Sequence, residues 1–348
     1  MSSFKYNRPD RCNKISSHYW AKPILDEYFD KNNAKLVNKV KDADLFLPCG
    51  YNFTNSDLQN VGVTTKNQYV FGIHNEDEIV SKSSIWTHVV AKYGRDKASK
   101  IMPETWVLAN KDDVDMLLRD FDPTNKYIMK NVEQGKKGLK MTQNLTDLVR
   151  GHSQNYLVAQ IYIKNIFCIN KKKLNLRFYL LIICKNGNKD FYLYDNGICI
   201  YTLKDYNTES NDMEENITSY KFDGKIYDVN PLTLDDFKKY LKSNNKDDKL
   251  IMKNIYKIVK MITNSVSFKI CNFQNIDKST SFELFGGDII FDDKLTPYVL
   301  ELNKGPDMKH KDEADRLLKK KVIFDTFNLM NVVQAKNSDY KNMFRKLI

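Results

Sequence analysis

Phe282-Glu283-Leu284-Phe285-Gly286-Gly287-Asp288-Ile289-Ile290-Phe291 and, after a short turn, Val299-Leu300-Glu301-Leu302-Asn303-Lys304-Gly305-Pro306 decide how this chain is read. Both are strand-like apolar runs broken by very few polar residues. Residues two apart on a strand point to the same face. Glu301 and Asn303 therefore project together. The turn around Asp292 to Pro297 is tight enough for a hairpin that sets Asp288 beside Glu301. Two carboxylates and an amide oxygen converging in a partly buried place need positive charge to offset their desolvation. Hard oxygen ligands suit Mg²⁺, which also takes oxygens from nucleotide phosphates. The spacing alone leaves a second reading open, in which Glu301 and Asn303 line the solvated side of an edge strand and Asp288 caps a turn.

The basic residues upstream favour the metal–nucleotide reading. Phosphates need cations and backbone N–H donors, and no G-x-x-x-x-G-K-[ST] sequence supplies them. Lys130 instead ends the strand Lys126 to Lys130 and runs into the glycine loop Gln134-Gly135-Lys136-Lys137-Gly138. Lys173, Asn175 and Arg177 alternate with Leu174 and Leu176, so they share one strand face. The apolar run Phe178 to Ile183 marks that strand as half-buried.

Around these elements the chain alternates strands and helices. Asp44 to Pro48, Gln68 to Ile73, Thr105 to Leu108, Val158 to Ile169 and Leu174 to Cys184 read as strands. Asp195-Asn196-Gly197 reads as a hairpin turn between Phe191–Tyr194 and Ile198–Thr202, because Asn-Gly tolerates positive φ. Residues 83–98, an acidic start at Asp112, Leu250 to Val266 and Ala314 to Leu329 read as helices, and Thr233 as the cap of another. Residues 205–230 read as a long polar loop.

The 348 residues carry 55 Lys and Arg against 44 Asp and Glu, a net charge of +11. That sign points to an acidic partner without choosing among phosphorylated small molecules, nucleic acid, membrane and polypeptide. The 42% apolar content excludes a disordered chain. No apolar run is long enough for a spanning helix, and the first residues have no apolar signal core. No basic amphipathic helix with an aromatic face argues for a membrane surface. The lysine clusters at 171–173 and 319–321 carry no base-reading motif, which disfavours nucleic acid. The cysteines form no C-x-x-C pair. Cys168, Cys184 and Cys199 sit in apolar runs as expected reduced thiols, consistent with the cytoplasm.

The K-x-x-L-R strand, the F-E-L-x-G-x-D strand and the L-E-x-N-x-x-P segment, in this order, resemble the tubulin–tyrosine-ligase-like family of ATP-grasp enzymes. The similarity runs from about Ile101 to Leu329, takes in Val80-Ser81-Lys82, and is weak over the first sixty residues. The resemblance implies an α/β (α+β) ATP-grasp fold, with nucleotide held between two β-rich subdomains and a small N-terminal α/β domain. The expected division is 1–64, 65–157 and 158–348. It implies ATP and Mg²⁺, a carboxylate activated as an acyl phosphate, and an amine that displaces the phosphate to form an amide. The amine would come from a free amino acid (tyrosine, glutamate or glycine) and the acceptor would be an acidic protein tail, such as that of tubulin.

Carried over by position, Lys130 and Lys173 would contact ATP phosphates. Gln160 with Ile161, Tyr162 and Ile163 would form the adenine hinge. Gln134, Gly138, Asn175 and Thr218 would line the nucleotide. Arg177 would stabilise the acyl phosphate, and Asp288, Glu301 and Asn303 would hold Mg²⁺, with Glu301 bridging where two ions bind. Four positions depart from the family pattern. Asn175 stands where an acid is usual, Ile200 and Asp190 where basic residues are, and Ser219 in a segment that keeps only Thr218 and Tyr220. The losses concern mainly the acceptor carboxylate and the incoming amino acid. They motivate an alternative, a catalytically retired nucleotide-binding module for an acidic partner.

Overall fold

The computed structural model describes residues 4–8, 21–48, 68–133, 135–219, 224–272, 279–310, 312–332 and 341–348. Its strands are β1 (Lys5–Asn7), β2 (Lys35–Leu36), β3 (Leu45–Phe46), β4 (Tyr69–Phe71), β5 (Thr105–Val107), β6 (Tyr127–Lys130), β7 (Leu139–Thr142), β8 (Val158–Ile161), β9 (Cys168–Ile169), β10 (Lys172–Lys185), β11 (Asn188–Tyr201), β12 (Thr280–Phe291), β13 (Pro297–Lys304) and β14 (Phe344–Lys346). They form two sheets. The larger runs β14-β11-β10-β12-β4-β3-β1-β2, with β13 also on β12 and β9 on β10. The smaller runs β5-β8-β6-β7, antiparallel throughout. The architecture is the mixed α/β ATP-grasp fold expected from the sequence. The N-terminal strands continue the large sheet, because β4 pairs in parallel with β12.

Alternation along β10 builds two cores from one strand. Leu174, Leu176, Phe178, Leu180 and Ile182 face helices Lys82–Tyr93, Leu234–Ser243 and Asp248–Val266. Tyr179 and Leu181 face helices Lys22–Lys31 and Glu313–Leu329. Asn175 and Arg177 share that second face, so the candidate site is the polar end of an apolar surface. Helix positions follow local chemistry. Thr233 and Asp236 cap each other's backbone N–H at 3.2 Å, a reciprocal box that starts the Leu234–Ser243 helix. The expected 83–98 helix is two helices, Lys82–Tyr93 and Arg95–Ala98, divided by Gly94 at φ 79°.

The β10–β11 hairpin corrects one expectation. Its turn is Asn186-Gly187, with φ of 51° and 76°, between paired Lys185 and Asn188. Asp195-Asn196-Gly197 lies inside β11 as a bulge, where the register moves from Phe178↔Gly197 to Leu180↔Leu193. Both sites contain Asn-Gly, and only pairing across the strands separates them. Gly197 is required there by close approach: a Cβ would lie 2.3 Å from the Arg177 carbonyl oxygen.

Cysteine pairing corrects another. Cys184 and Cys271 are joined as a disulfide, with Cα atoms 6.1 Å apart, against the expected reduced thiol at Cys184. The partners are 87 residues apart, so nothing local signals the bond. Cys168 and Cys199 are free, while Cys12 and Cys49 lie outside the described residues. Among the described residues, no helix is long and apolar enough to cross a membrane.

Candidate functional site

The β12–β13 hairpin places the oxygen ligands as the strand spacing predicts. Asp288 is the cross-strand partner of Glu301, with a register shift immediately beyond Asp288. Such a bulge re-aims the side chains beside it. The turn is tied by Asp292, whose Oδ1 accepts from the N–H groups of Lys294 (3.0 Å) and Thr296 (2.7 Å). Two residues on, Asn303 Nδ2 donates to Glu301 Oε1 at 3.3 Å.

On the other side of β12, Arg177 stands opposite Asp288. Its Nε donates to Asp288 Oδ1 at 2.7 Å and its Nη2 to Oδ2 at 3.0 Å, a buried two-point ion pair. The paired glycines explain how it fits. A Cβ on Gly286 would meet Pro306 Cβ at 2.9 Å and Arg177 Cδ at 3.2 Å. On Gly287 it would lie 2.1 Å from the Phe178 ring. One glycine makes room on the site face and the other on the core face.

The small sheet contributes one cation, and the large sheet and a helix packed on it contribute the others. Lys130 ends β6 and is buried. Burial pulls its pKa down, opposed by Glu301 and Asp288 and reinforced by Lys82. Lys173 opens the same face of β10. Its Nζ donates to the Asn216 carbonyl at 2.7 Å and to the Tyr162 hydroxyl at 3.2 Å, and lies 4.6 Å from the Tyr162 ring centre. Burial, with the charge of Lys130 adding to it, lowers Lys173 to about 7. Burial would raise Glu301, but Lys130, Lys82, Asn303 and Arg177 outweigh it and hold the carboxylate ionised. Positive charge from Lys130 on the small sheet, from Arg177 on the large one and from Lys82 thus compensates the carboxylates.

Other predicted residues are placed unevenly. The Gln160 side chain does not enter the cleft, because its Nε2 donates to Thr105 Oγ1 at 2.8 Å inside the small sheet. Ile161 packs into that sheet's core. Tyr162 and Ile163 join Ile166 and Ile290 in an apolar cluster where the sheets meet. Thr218 bridges to Thr202, near Asn216. Gly138 closes its loop, where a Cβ would be 2.4 Å from the Glu133 carbonyl. Gln134 lies outside the described residues. Asn175 is buried between Ile200 and Ile290, and its Oδ1 has no hydrogen-bond partner. Ile200 is therefore a direct neighbour of the site. Asp190 sits at the far end of the hairpin, paired with Lys346 at 2.6 Å.

Sequence reasoning missed Lys82 and Asn216 as site residues. Lys82 acts on both Lys130 and Glu301. A signal was present: Lys82 is the first residue of its helix, where a cation opposes the helix dipole and gains from a nearby carboxylate.

A small sheet that brings buried Lys130 toward a large sheet carrying Lys173, Arg177, Asp288, Glu301 and Asn303 defines a protein of the ATP-grasp class. Among the described residues no group of three or more His, Cys, Asp or Glu could hold a metal. The chain belongs to the tubulin–tyrosine ligase family: the model described as "Tubulin-tyrosine ligase family" matches residues 63–340. It is 29% identical over 197 residues to the human "Probable tubulin polyglutamylase TTLL2", covering 52% of this chain and 31% of that protein. It is 26% identical over 265 residues to a "Probable beta-tubulin polyglutamylase" of Tetrahymena thermophila, covering 68% and 22%. Human "Tubulin polyglutamylase TTLL6" is 24% identical over 255 residues, covering 68% and 28%. The chain spans less than a third of each of these relatives.

Proposed function

We propose that this protein is an ATP- and Mg²⁺-dependent carboxylate–amine ligase that adds an amino acid to an acidic protein tail such as that of tubulin. The observation that carries the reading is Lys130 of the small sheet acting on Glu301 and Asp288 of the large one, with Lys173 and Arg177 alternating along the neighbouring strand β10. Asn175 Oδ1, a buried acceptor without a donor, fits a ligand at this place. Bound ATP would supply the phosphoryl group that turns a carboxylate into an acyl phosphate, which an amine then displaces to give an amide and phosphate.

In this reading Lys130 and Lys173 hold phosphates. Asp288, Glu301 and Asn303 hold Mg²⁺. Arg177 orients Asp288 and stabilises charge on the acyl phosphate. The apolar cluster at Tyr162, Ile163 and Ile290 receives the base, with Asn175, Thr218, Ile161 and the Gln134–Gly138 loop around the nucleotide. Gln160 braces the hinge from behind. Residues 65–157 and 158–348 are the two halves of the grasp, and residues 1–64 form the N-terminal part. The relatives' names make glutamate the first amino acid to test, before glycine and tyrosine. A cytoplasmic location accords with such an acceptor.

Ile200 supports a second reading, a retired nucleotide-binding module. It puts an apolar side chain beside Asn175, where the family carries a cation. Incubation with Mg-ATP, labelled glutamate, glycine or tyrosine, and tubulin separates the two. Ligase activity gives incorporation that Glu301→Gln abolishes. No incorporation with any of the three, while Mg-ATP still raises the melting temperature, would overturn the ligase reading in favour of the module.

A further inference from the structure

Behind the site, on the opposite face of β12 and β13, lies a group of charges that the ligase reading leaves unused. Glu283 is 7% exposed, and its Oε2 accepts the Ile73 N–H at 3.1 Å. Glu76 is 1% exposed; its Oε1 accepts from Lys304 Nζ at 3.0 Å, and its Oε2 is buried without a partner. Lys304 also donates to Asp77 Oδ1 at 2.8 Å. Lys304 directly follows Asn303 on β13. Glu76 and Asp77 open the short helix Asp77–Val80 that leads through Ser81 to Lys82.

The charges do not balance if all are ionised. Two buried carboxylates face one ammonium, since Asp77 is on the surface. Phe285, Ile73 and Ile79, all fully buried, surround the region with apolar material. An uncompensated charge there is costly, and one bound proton removes it. The orphaned Oε2 makes Glu76 one of the two carboxyls where that proton can sit. We propose that Glu76 and Glu283 hold one proton between them, and that with Lys304 as their cation they form a buried positioning network that keeps Lys82 and the Glu301–Asn303 strand in fixed register.

Electrostatics agree with the geometry. Burial, then the charge of Glu76, pushes the Glu283 carboxyl up to about 8. Burial also raises Glu76. The charges that face the pair are Asp77 from the helix and Lys304 from β13; β10 presents Ile182 opposite Glu283. The native state therefore keeps a proton from pH 4.5 to about 8 that the unfolded chain has lost. Native stability falls across that window as pH rises.

The experiment compares thermal melts of wild type and Glu283→Gln from pH 5 to 8.5. Glutamine keeps the shape and the acceptor for the Ile73 N–H while removing the ionisable group. Glu283→Gln should match wild type near pH 5 and melt progressively higher than wild type toward pH 8.5. A difference that stays constant over this range overturns the shared proton. Carboxyl-labelled glutamate NMR on the wild type gives a check that needs no variant: one resonance titrating near 8 supports it, and all titrating below 6 refutes it. For the positioning role, Lys304→Met should weaken Mg-ATP binding about 10- to 100-fold while Lys304→Arg restores it. Full Mg-ATP affinity in Lys304→Met overturns that role. The positioning role rests on the nucleotide reading; absence of any Mg-ATP binding by wild type sinks that reading, while the pH comparison still decides the proton network.

Discussion

Replacing Lys173 by methionine should make the ligand-free protein more stable and unable to respond to nucleotide. The side chain is buried, with a pKa lowered from 10.5 to about 7 by desolvation first and Lys130 second. Forcing the folded protein to carry or surrender that proton at pH 7 costs roughly 4 kcal/mol at most. Methionine has similar length and no charge, so the variant avoids this cost. It loses the bonds to Asn216 (2.7 Å) and Tyr162 (3.2 Å), worth about 1 kcal/mol each. The net expectation is a gain of about 1–2 kcal/mol, visible as a rise of a few degrees in melting temperature. The pH dependence fixes the sign. Between pH 7 and 10.5 the unfolded lysine binds a proton that the native one does not, so wild-type stability rises with pH and the advantage of the variant shrinks. Melting curves at pH 7 and pH 9.5, with and without Mg-ATP, check both halves. A Lys173→Met protein that melts below wild type at pH 7, or that keeps the full Mg-ATP shift, refutes the reasoning.

Other expectations are more local. Gly287→Ala should destabilise by about 1–3 kcal/mol in urea unfolding, because its Cβ would meet the Phe178 ring at 2.1 Å; a loss under about 0.5 kcal/mol would mean the ring swings clear at little cost. Lys126→Ala should speed amide exchange in residues 205–216, since Lys126 Nζ donates to the carbonyls of Thr208 (2.7 Å) and Ser210 (2.8 Å); unchanged exchange there would show that the loop is held otherwise. Glu301→Gln should leave the melting temperature of the free protein within a few degrees while removing most of the Mg²⁺-dependent part of the ATP shift, measured by titrating Mg²⁺ at fixed ATP.

What the sequence revealed follows the range of the forces involved. The period-two alternation of β10 and β13 was legible, because side-chain direction is a local property of a strand. Asp288 opposite Glu301 was legible too, since a five-residue turn leaves little choice of register. The Thr233 cap needed only its own helix. The bulge at Asp195–Gly197 was not legible, because Gly197 is dictated by the carbonyl of Arg177 on another strand. Gln160 shows the same limit: the sequence sets it beside Ile161 to Ile163, but Thr105, 55 residues away, decides where its amide points. Lys82 reaches Glu301 only because β4 lies against β12 and delivers the following helix to the site.

The charge around the carboxylates carries an argument about order of binding. Asp288 is already neutralised by Arg177, and Glu301 is held ionised by Lys130 and Lys82. A bare divalent cation arriving here would find two carboxylates whose charge is spent and at least three cations within their field. Phosphate oxygens reverse this balance. They engage Lys130 and Lys173, release the carboxylates toward the metal, and supply the ligands that two carboxylates and one amide cannot. Mg²⁺ alone should therefore stabilise the protein little, ATP alone somewhat, and the pair far more than the sum of the two. Equal stabilisation by Mg²⁺ with and without ATP would contradict this, and would place the metal's ligands somewhere other than Asp288, Glu301 and Asn303.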